Sequence, residues 1–254
     1  MPSNQDRKLR ATSGTIDPGE IGRFAAQAES WWDSEGSFRT LHRINPTRVR
    51  FIRQQLTAHF RRDPSSLRPF DGLTLLDIGC GGGLVAEPMA RLGFTVTGID
   101  PGAEAIDAAR AHAKAMGLAI EYRVTGPEAI AEAGKSFDTV LALEVIEHVA
   151  DPGDFFAAVS VLVRSGGAFI GATLNRTPRS FALAIVGAEY LLGWLPPGTH
   201  DWRKFLRPSE FVLGLRRNGF VATQLAGLIY DLPRAEWSLS PDLRVNYMVA
   251  AVRR

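Results

Sequence analysis

Cysteine is nearly absent from this sequence. Cys80 is the single cysteine among 254 residues, so the chain can form neither an internal disulfide nor a thiolate cage for a metal. A lone cysteine inside a glycine-rich stretch indicates a reducing compartment. We therefore expect a cytoplasmic protein whose one thiol has a structural role.

A strong charge bias and a membrane-spanning run are also missing. The formal net charge is only +2, which is too weak and too dispersed to predict nucleic-acid binding. The first residues lack the apolar stretch of a secretion signal. Residues 180–195 are apolar on nearly all sides, but they are too few to cross a bilayer and they include Glu189.

The most informative stretch is an apolar run that ends in glycines. Residues 75–78 lead into Gly79-Cys80-Gly81-Gly82-Gly83, where the missing Cβ atoms let a ligand lie against the backbone. A second apolar run ends at Asp100, about 20 residues further on. A carboxylate at the end of the second strand of a βαβ unit can accept hydrogen bonds from ribose hydroxyls. These features predict a nucleotide-type cofactor held by Gly79, Gly81 and Asp100.

Strand-like and helix-like segments alternate through most of the chain. The predicted strands cover 73–78, 94–99, 119–124, 137–143, 168–174, 220–230 and 245–252. This alternation predicts an α/β fold, a Rossmann-like, doubly wound, mostly parallel sheet of seven strands with an antiparallel edge strand, whose last two strands form a hairpin. We expect a flexible tail at 1–20 and a single domain over 21–254.

A helix is also predicted upstream of the glycine loop. Asn45-Pro46 is typical of a helix start, and Ile44, Val49, Ile52 and Leu56 recur at the spacing of a buried face. On spacing alone, Arg48 belongs to the solvated side of this helix.

Two classes of cofactor suit the loop, a nicotinamide dinucleotide and S-adenosylmethionine. A dinucleotide loop has the pattern G-x-G-x-x-G, whereas this chain reads G-x-G-x-G. Asp77 beside the loop would repel a pyrophosphate but suits a cationic sulfonium. The chain also lacks the Tyr-x-x-x-Lys pair of short-chain dehydrogenases. The residues therefore favour S-adenosylmethionine.

An acidic segment follows the fourth predicted strand. Glu144, Glu147 and His148 have the i, i+3, i+4 spacing that brings side chains together on one helical turn. This makes them candidate catalytic residues and candidate ligands of a divalent metal. The alternative is that Glu147 and His148 pack the turn, with His148 alone acting as a general base.

These motifs resemble the ubiquinone-biosynthesis O-methyltransferases, a family of class I S-adenosylmethionine-dependent methyltransferases. The resemblance covers the chain from about residue 20 to its end. It is specific because it extends well beyond the cofactor loop. The matching stretches are 30–33, 41–46 with Arg48, 76–83, 144–148, 173–176, 187–190, 198–201 and 245–248.

The resemblance implies two O-methylations of catechol-type rings that carry a polyprenyl tail, from polyprenyl-benzenediol to methoxy-polyprenylphenol and from 3-demethylubiquinol to ubiquinol. It implies that Arg48, Gly79, Asp100 and the backbone near Leu143 hold the cofactor, which takes Arg48 out of the solvated face. Leu143 stands where some members have methionine. The resemblance also suggests magnesium as the metal bound beside a catecholate.

The apolar insertion at 178–197 fits a substrate that resides in the bilayer. Arginines flank it, so it is predicted to be a lid or a membrane-contacting helix in the headgroup layer. We therefore expect a cytoplasmic enzyme peripheral to the inner membrane, with other ubiquinone-biosynthesis enzymes as candidate partners. If the insertion is ordinary core, a methyltransferase for another small phenol or a soluble metabolite is favoured. A third alternative is a cofactor-binding regulatory protein without activity.

Overall fold

The computed structural model describes residues 31–182, 201–231 and 233–254. The strands are β1 Thr74–Ile78, β2 Thr95–Asp100, β3 Glu121–Val124, β4 Phe137–Leu143, β5 Val163–Leu174, β6 Phe220–Asp231, β7 Glu236–Ser240 and β8 Asn246–Arg253. The helices are α1 Arg39–His59, α2 Ala86–Arg91, α3 Ala103–Ala115, α4 Pro127–Glu132, α5 Pro152–Leu162 and α6 Pro208–Arg217. Short helical turns occupy Ile146–His148, Pro178–Ser180 and Trp202–Lys204. The predicted tail at 1–20 and most of the predicted insertion at 178–197 lie outside the described residues.

The first five strands form the parallel half of the sheet. Their order is β3-β2-β1-β4-β5, and each neighbouring pair is parallel. The central strands β1 and β4 are buried along almost their whole length, because helices cover both faces. One apolar cluster joins α1, α2 and α3 to one face, and another joins α4, α5 and α6 to the other. The carboxyl ends of β1, β2 and β4 therefore meet at one edge, where ligands of such folds bind.

The antiparallel half differs from its prediction. Across the described residues the sheet has eight strands, with β8 inserted between β5 and β6 and antiparallel to both. The predicted antiparallel pairing of 220–230 with 245–252 is confirmed. Its predicted place at the sheet edge is wrong, because β8 is interior and the strand missing from the prediction, β7, forms the antiparallel edge. Six of the eight β8 residues are buried, so this strand needs a partner on both sides. The Rossmann-like, mostly parallel fold itself is confirmed.

Helix α1 starts earlier than predicted. It begins at Arg39 and runs through Pro46, which is therefore inside the helix rather than at its start. A proline in a helix interior removes one backbone hydrogen bond. Ile44, Ile52 and Leu56 are buried against the sheet, and this packing holds the helix together on both sides of the proline.

Helix α5 starts at Asp151-Pro152, a pair of residues from which the sequence alone predicts a helix start. Asp151 is its N-cap, and the carboxylate accepts hydrogen bonds from the backbone N–H groups of Gly153 and Asp154 at 2.6 and 3.3 Å. Pro152 occupies the first turn, where its missing N–H costs nothing. No helix in the described ranges has the length and apolarity that crossing a bilayer requires.

Candidate active site

The glycine loop turns sharply at the end of β1. Gly79 has φ +67°, and a Cβ added there would lie 2.5 Å from Cγ2 of Val145. Both strain and crowding therefore demand glycine at this position. The backbone N–H groups of Gly79 and Cys80 donate to the Ile99 carbonyl at 2.8 and 3.0 Å, which ties the loop to the end of β2.

Asp100 lies at the end of β2, as predicted. Its carboxylate accepts hydrogen bonds from the backbone N–H of Gly81 at 3.0 Å and of Gly102 at 2.8 Å. Burial raises the pKa of Asp100, and these two N–H groups oppose the rise. The structure thus orients a carboxylate between the glycine loop and the start of α3, where a ribose would bind in a fold of this type.

Asp77 is buried directly beneath the loop. Its side chain is among the least exposed carboxylates of the described chain, and Oδ2 has no hydrogen-bond partner there. Burial, followed by the charge of Asp100, raises the pKa of Asp77 to about 7. A buried carboxylate with a free acceptor is matched by a cationic ligand. This agrees with the charge argument drawn from the sequence.

A short acidic rim follows Leu143, the last residue of β4. Glu144 has φ +56°, and its N–H donates to the Ala172 carbonyl of β5 at 2.9 Å. Arg48 reaches across from α1 and donates from Nη2 to Glu144 Oε1 at 2.6 Å. The Arg48 side chain is only 7% exposed, so the solvated position that spacing alone indicates is wrong. Its role in holding the cofactor stays a prediction.

Glu147 and His148 lie on the short turn after Glu144. The Glu147 side chain is buried, with Oε2 accepting from Thr173 Oγ1 at 2.9 Å and Oε1 without a partner in the described residues. Burial, followed by the Glu144 charge, raises the pKa of Glu147 well above its usual range. The backbone N–H of His148 donates to the Val145 carbonyl at 2.9 Å, which forms the turn.

The side chains of Glu144 and Glu147 lie close together, as predicted, but not on one helical turn. The 3₁₀ turn covers only Ile146–His148, and Glu144 precedes it in a left-handed conformation. Among the described residues, no group of three or more His, Cys, Asp and Glu side chains is arranged to hold a metal. Glu144 already pairs with Arg48. The magnesium prediction therefore has no support in this donor set.

Cys80 has the environment of a structural thiol. It is buried within the loop, and burial followed by the charge of Asp77 raises its pKa well above the usual value. A thiol held protonated is a poor nucleophile.

Two tryptophans that precede α1 contact the glycine loop, and the sequence patterns did not predict this contact. Trp32 donates from Nε1 to the Gly82 carbonyl at 2.9 Å and stacks on His112, with ring centroids 3.4 Å apart. Trp31 stacks on Phe38 and lies against Gly81 and Gly82. The adjacent pair of large aromatics beside a polar turn was the available signal.

Asn45 anchors the other end of the same loop. Its Nδ2 donates to the Leu84 carbonyl at 2.6 Å. The segment before and within α1 therefore holds two carbonyls of the loop, which couples these elements mechanically.

Comparison with known proteins gives the same fold and adds a family. A family model described as a methyltransferase domain matches residues 76–171. Among solved structures, a magnesium protoporphyrin IX methyltransferase from Synechocystis superposes with a TM-score of 0.62 at 18% identity, covering 93% of this chain and 94% of that one. A possible histamine N-methyltransferase from Thermotoga maritima gives the same TM-score at 17% identity, over 93% and 99% of the two chains. At these identities, the structural matches support the fold alone.

Sequence relatives are much closer. A ubiquinone biosynthesis O-methyltransferase from Paramagnetospirillum magneticum is 52% identical, covering 94% of this chain and 96% of the relative. Another with the same name, from Parvibaculum lavamentivorans, is 50% identical over 98% of each chain. The fold, the loop and this near full-length identity lead to one conclusion: the chain belongs to the ubiquinone biosynthesis O-methyltransferase family.

Proposed function

We propose that this enzyme transfers the methyl group of S-adenosylmethionine to a ring hydroxyl of catechol-type, polyprenylated intermediates of ubiquinone biosynthesis. The two reactions are those that the resemblance implies, from polyprenyl-benzenediol to methoxy-polyprenylphenol and from 3-demethylubiquinol to ubiquinol. The observation that carries the proposal is the edge at which Asp77, Asp100 and the Arg48–Glu144 pair surround the glycine loop.

The residues at this edge fit each part of the methyl donor. Asp100 is oriented by two backbone N–H groups to accept from ribose hydroxyls. Asp77 faces the loop as a buried acceptor for the ammonium or sulfonium charge. Arg48 supplies a guanidinium for the carboxylate, and the backbone near Leu143 closes the site. When bound, the donor supplies an electrophilic methyl group on sulfur.

The protein must also handle the phenolic proton. A phenol titrates near pH 10, so its deprotonation is unfavourable at neutral pH. We propose that His148 is the general base, since it lies on the turn after β4 at the same edge. We propose that Glu144 holds Arg48 in place through a partly buried ion pair and that Glu147 supports the turn through Thr173.

The first experiment measures methyl transfer from labelled S-adenosylmethionine to a short-chain prenyl catechol. Replacing His148 by Asn is expected to lower kcat by about 10²-fold or more, the usual contribution of a general base. His59→Asn is the matched control. His59 contacts the Gly166 carbonyl near the start of β5, whereas the candidate site lies at the carboxyl ends of the strands. Equal rates for the two variants would exclude His148 as the base, and no methyl ether with the intact enzyme would overturn the proposed reaction.

Magnesium is a separate prediction, supported by the resemblance alone. We derive no catalytic step through it, because Glu144 is paired and Glu147 is buried. Exhaustive chelation followed by addition of MgCl₂ tests the prediction. Loss of activity that magnesium restores would support it, and undiminished activity after chelation would contradict it.

Membrane association is proposed from the apolar segment at 178–197. A polyprenyl substrate resides in the bilayer, so we propose that this segment lies in the headgroup layer or covers the tail, with its flanking arginines near lipid phosphates. Flotation with anionic vesicles tests this. A deletion of 178–196 is expected to abolish flotation, and a deletion variant that floats like the intact protein would rule the proposal out.

A further inference from the structure

Trp31 carries a buried hydrogen-bond donor, the N–H of its indole ring. The residue is 7% exposed, and its indole Nε1 has no hydrogen-bond partner within the described chain. Nearly all buried polar groups in folded proteins are paired, so such a donor calls for an explanation. Neighbouring Trp32 shows the ordinary case, since its Nε1 donates to the Gly82 carbonyl.

The Trp31 ring lies directly on the cofactor loop. A Cβ added to Gly81 would lie 2.4 Å from ring atom Cη2, and one added to Gly82 would lie 2.5 Å from Cγ. Stacking on Phe38, with centroids 3.8 Å apart, and a contact of 2.9 Å between the Trp31 carbonyl and His42 Nε2 hold this position. The ring that carries the unpaired donor is therefore fixed against the loop of the candidate site.

Further buried atoms near this edge lack partners among the described residues, including Oε1 of Glu147. Two of them belong to the residues assigned above to the charged groups of the cofactor: Nε of Arg48, a donor, and Oδ2 of Asp77, an acceptor. Two donors, one of them cationic, and one anionic acceptor complement a zwitterion that carries a carboxylate and an ammonium. The amino-acid end of S-adenosylmethionine or S-adenosylhomocysteine has this composition, whereas the adenosine end does not.

We infer that Trp31 is a cofactor-binding residue whose indole N–H donates to the carboxylate of the amino-acid end of the cofactor. The inference rests on the proposed function and adds a residue to that site. Removing the N–H while keeping an aromatic ring at this position leaves the carboxylate with one donor fewer. The affinity for ligands that lack the carboxylate is expected to stay the same.

Isothermal titration of the full chain with two probes tests this. S-adenosylhomocysteine has the amino-acid end, and 5′-methylthioadenosine lacks it. Trp31→Phe is expected to weaken S-adenosylhomocysteine binding by about tenfold, the effect of losing a hydrogen bond to a charged group. The Kd of 5′-methylthioadenosine is expected to stay within about twofold of its value for the intact protein, because this ligand has no carboxylate to accept the hydrogen bond.

Trp32→Phe is the matched control. The Trp32 N–H donates to the Gly82 carbonyl of the loop. Its loss is therefore expected to weaken the binding of both probes by a similar factor. A melting temperature for each variant without ligand reports its folding. If Trp31→Phe melts early, β-(3-benzothienyl)alanine at position 31 keeps the shape of the indole and removes only the N–H.

The outcomes separate this inference from the proposed function. Selective loss of S-adenosylhomocysteine affinity in the Trp31 variants supports it. Equal weakening of both probes would show that Trp31 only packs against the loop, and unchanged affinity for both would show no contact, so either result overturns the inference while the methyltransferase proposal stands. No binding of S-adenosylhomocysteine by the intact protein overturns both.

Discussion

Single residues at the sheet edge show which parts of the site tolerate no change. Gly79 combines a left-handed backbone with a Cβ position 2.5 Å from Val145. Gly117 has nearly the same φ, +66° against +67°, but nothing lies within 4 Å of its Cβ position. A substitution at Gly117 therefore tests backbone strain alone, whereas one at Gly79 tests strain together with crowding at the cofactor loop.

The first prediction uses this pair. Gly117→Ala is expected to cost about 1 kcal/mol of stability from the left-handed conformation alone and to leave cofactor affinity unchanged. Gly79→Ala adds a collision with Val145, next to the Arg48–Glu144 pair, and is expected to weaken S-adenosylhomocysteine binding by about tenfold or more. Titration calorimetry measures the affinities and chemical denaturation the stabilities. Equal affinities for the two variants would contradict this account of the loop.

The second prediction concerns Asp77, whose pKa is raised from 3.8 to about 7 in the folded protein. A carboxyl with a raised folded pKa stabilises the fold most below its unfolded pKa, and this contribution is lost as the pH rises towards the folded pKa. We expect the free energy of unfolding without ligand to fall by about 2–3 kcal/mol between pH 5 and pH 8 through this group. Asp77→Asn removes this dependence, and denaturation curves at the two pH values measure it.

The intact protein and Asp77→Asn are also compared in their affinity for the ligand. The ammonium group of S-adenosylhomocysteine favours the ionised form of Asp77, so this ligand is expected to bind more weakly to Asp77→Asn even where that variant is the more stable protein. Parallel pH dependence of the intact protein and the variant would show that Asp77 is ionised at no cost to folding.

At the scale of elements, the caps and partners of each helix decide where it starts. Asp151 caps α5 by a purely local pattern, which the sequence predicts correctly. Helix α1 lacks a side-chain cap and contains Pro46, yet it spans 21 residues. Its start is set by packing against the sheet, and that information is spread over distant parts of the chain.

The third prediction tests the cap of α5. Asp151→Ala removes the acceptor of two backbone N–H groups and is expected to lower the free energy of unfolding by about 1 kcal/mol. Asp154→Ala is the control, because Asp154 is also in the first turn but its carboxylate does not cap the helix. Its expected effect is a few tenths of a kcal/mol, about that of the helix dipole. Similar losses for both variants, measured by urea denaturation, would mean that charge rather than capping stabilises this helix end.

At the scale of the whole molecule, the site joins elements from across the chain. The Arg48–Glu144 pair links residues 96 positions apart, and Trp32 and Asn45 tie α1 and its approach to the loop after β1. A ligand that binds at this junction therefore stabilises the fold as a unit.

The fourth prediction follows from this linkage. S-adenosylhomocysteine at about 100 times its Kd is expected to add about 2.7 kcal/mol of stability. For a domain of this size, that raises the melting temperature by about 5–10 °C. Gly79→Ala at the same ligand concentration is expected to show a smaller rise. If NAD raises the melting temperature of the intact protein and S-adenosylhomocysteine does not, the choice of cofactor is wrong.

Features that depend on neighbouring residues could be predicted from the amino-acid sequence. The βαβ alternation, the glycine loop, Asp100 at the end of β2 and the cap at Asp151 each follow from backbone preferences or from a short spacing. The family was also readable from the chain, because its motifs are short stretches of consecutive residues.

Four other features depend on how the folded chain packs. Arg48 has the spacing of a solvated residue, yet it is buried beside Glu144. The β8 strand lies inside the sheet rather than at its edge, Trp31 and Trp32 cover the glycine loop, and Glu147 loses contact with water. The physical reason is common to all four: burial and pairing depend on which distant segments pack together, and local spacing carries no record of that choice.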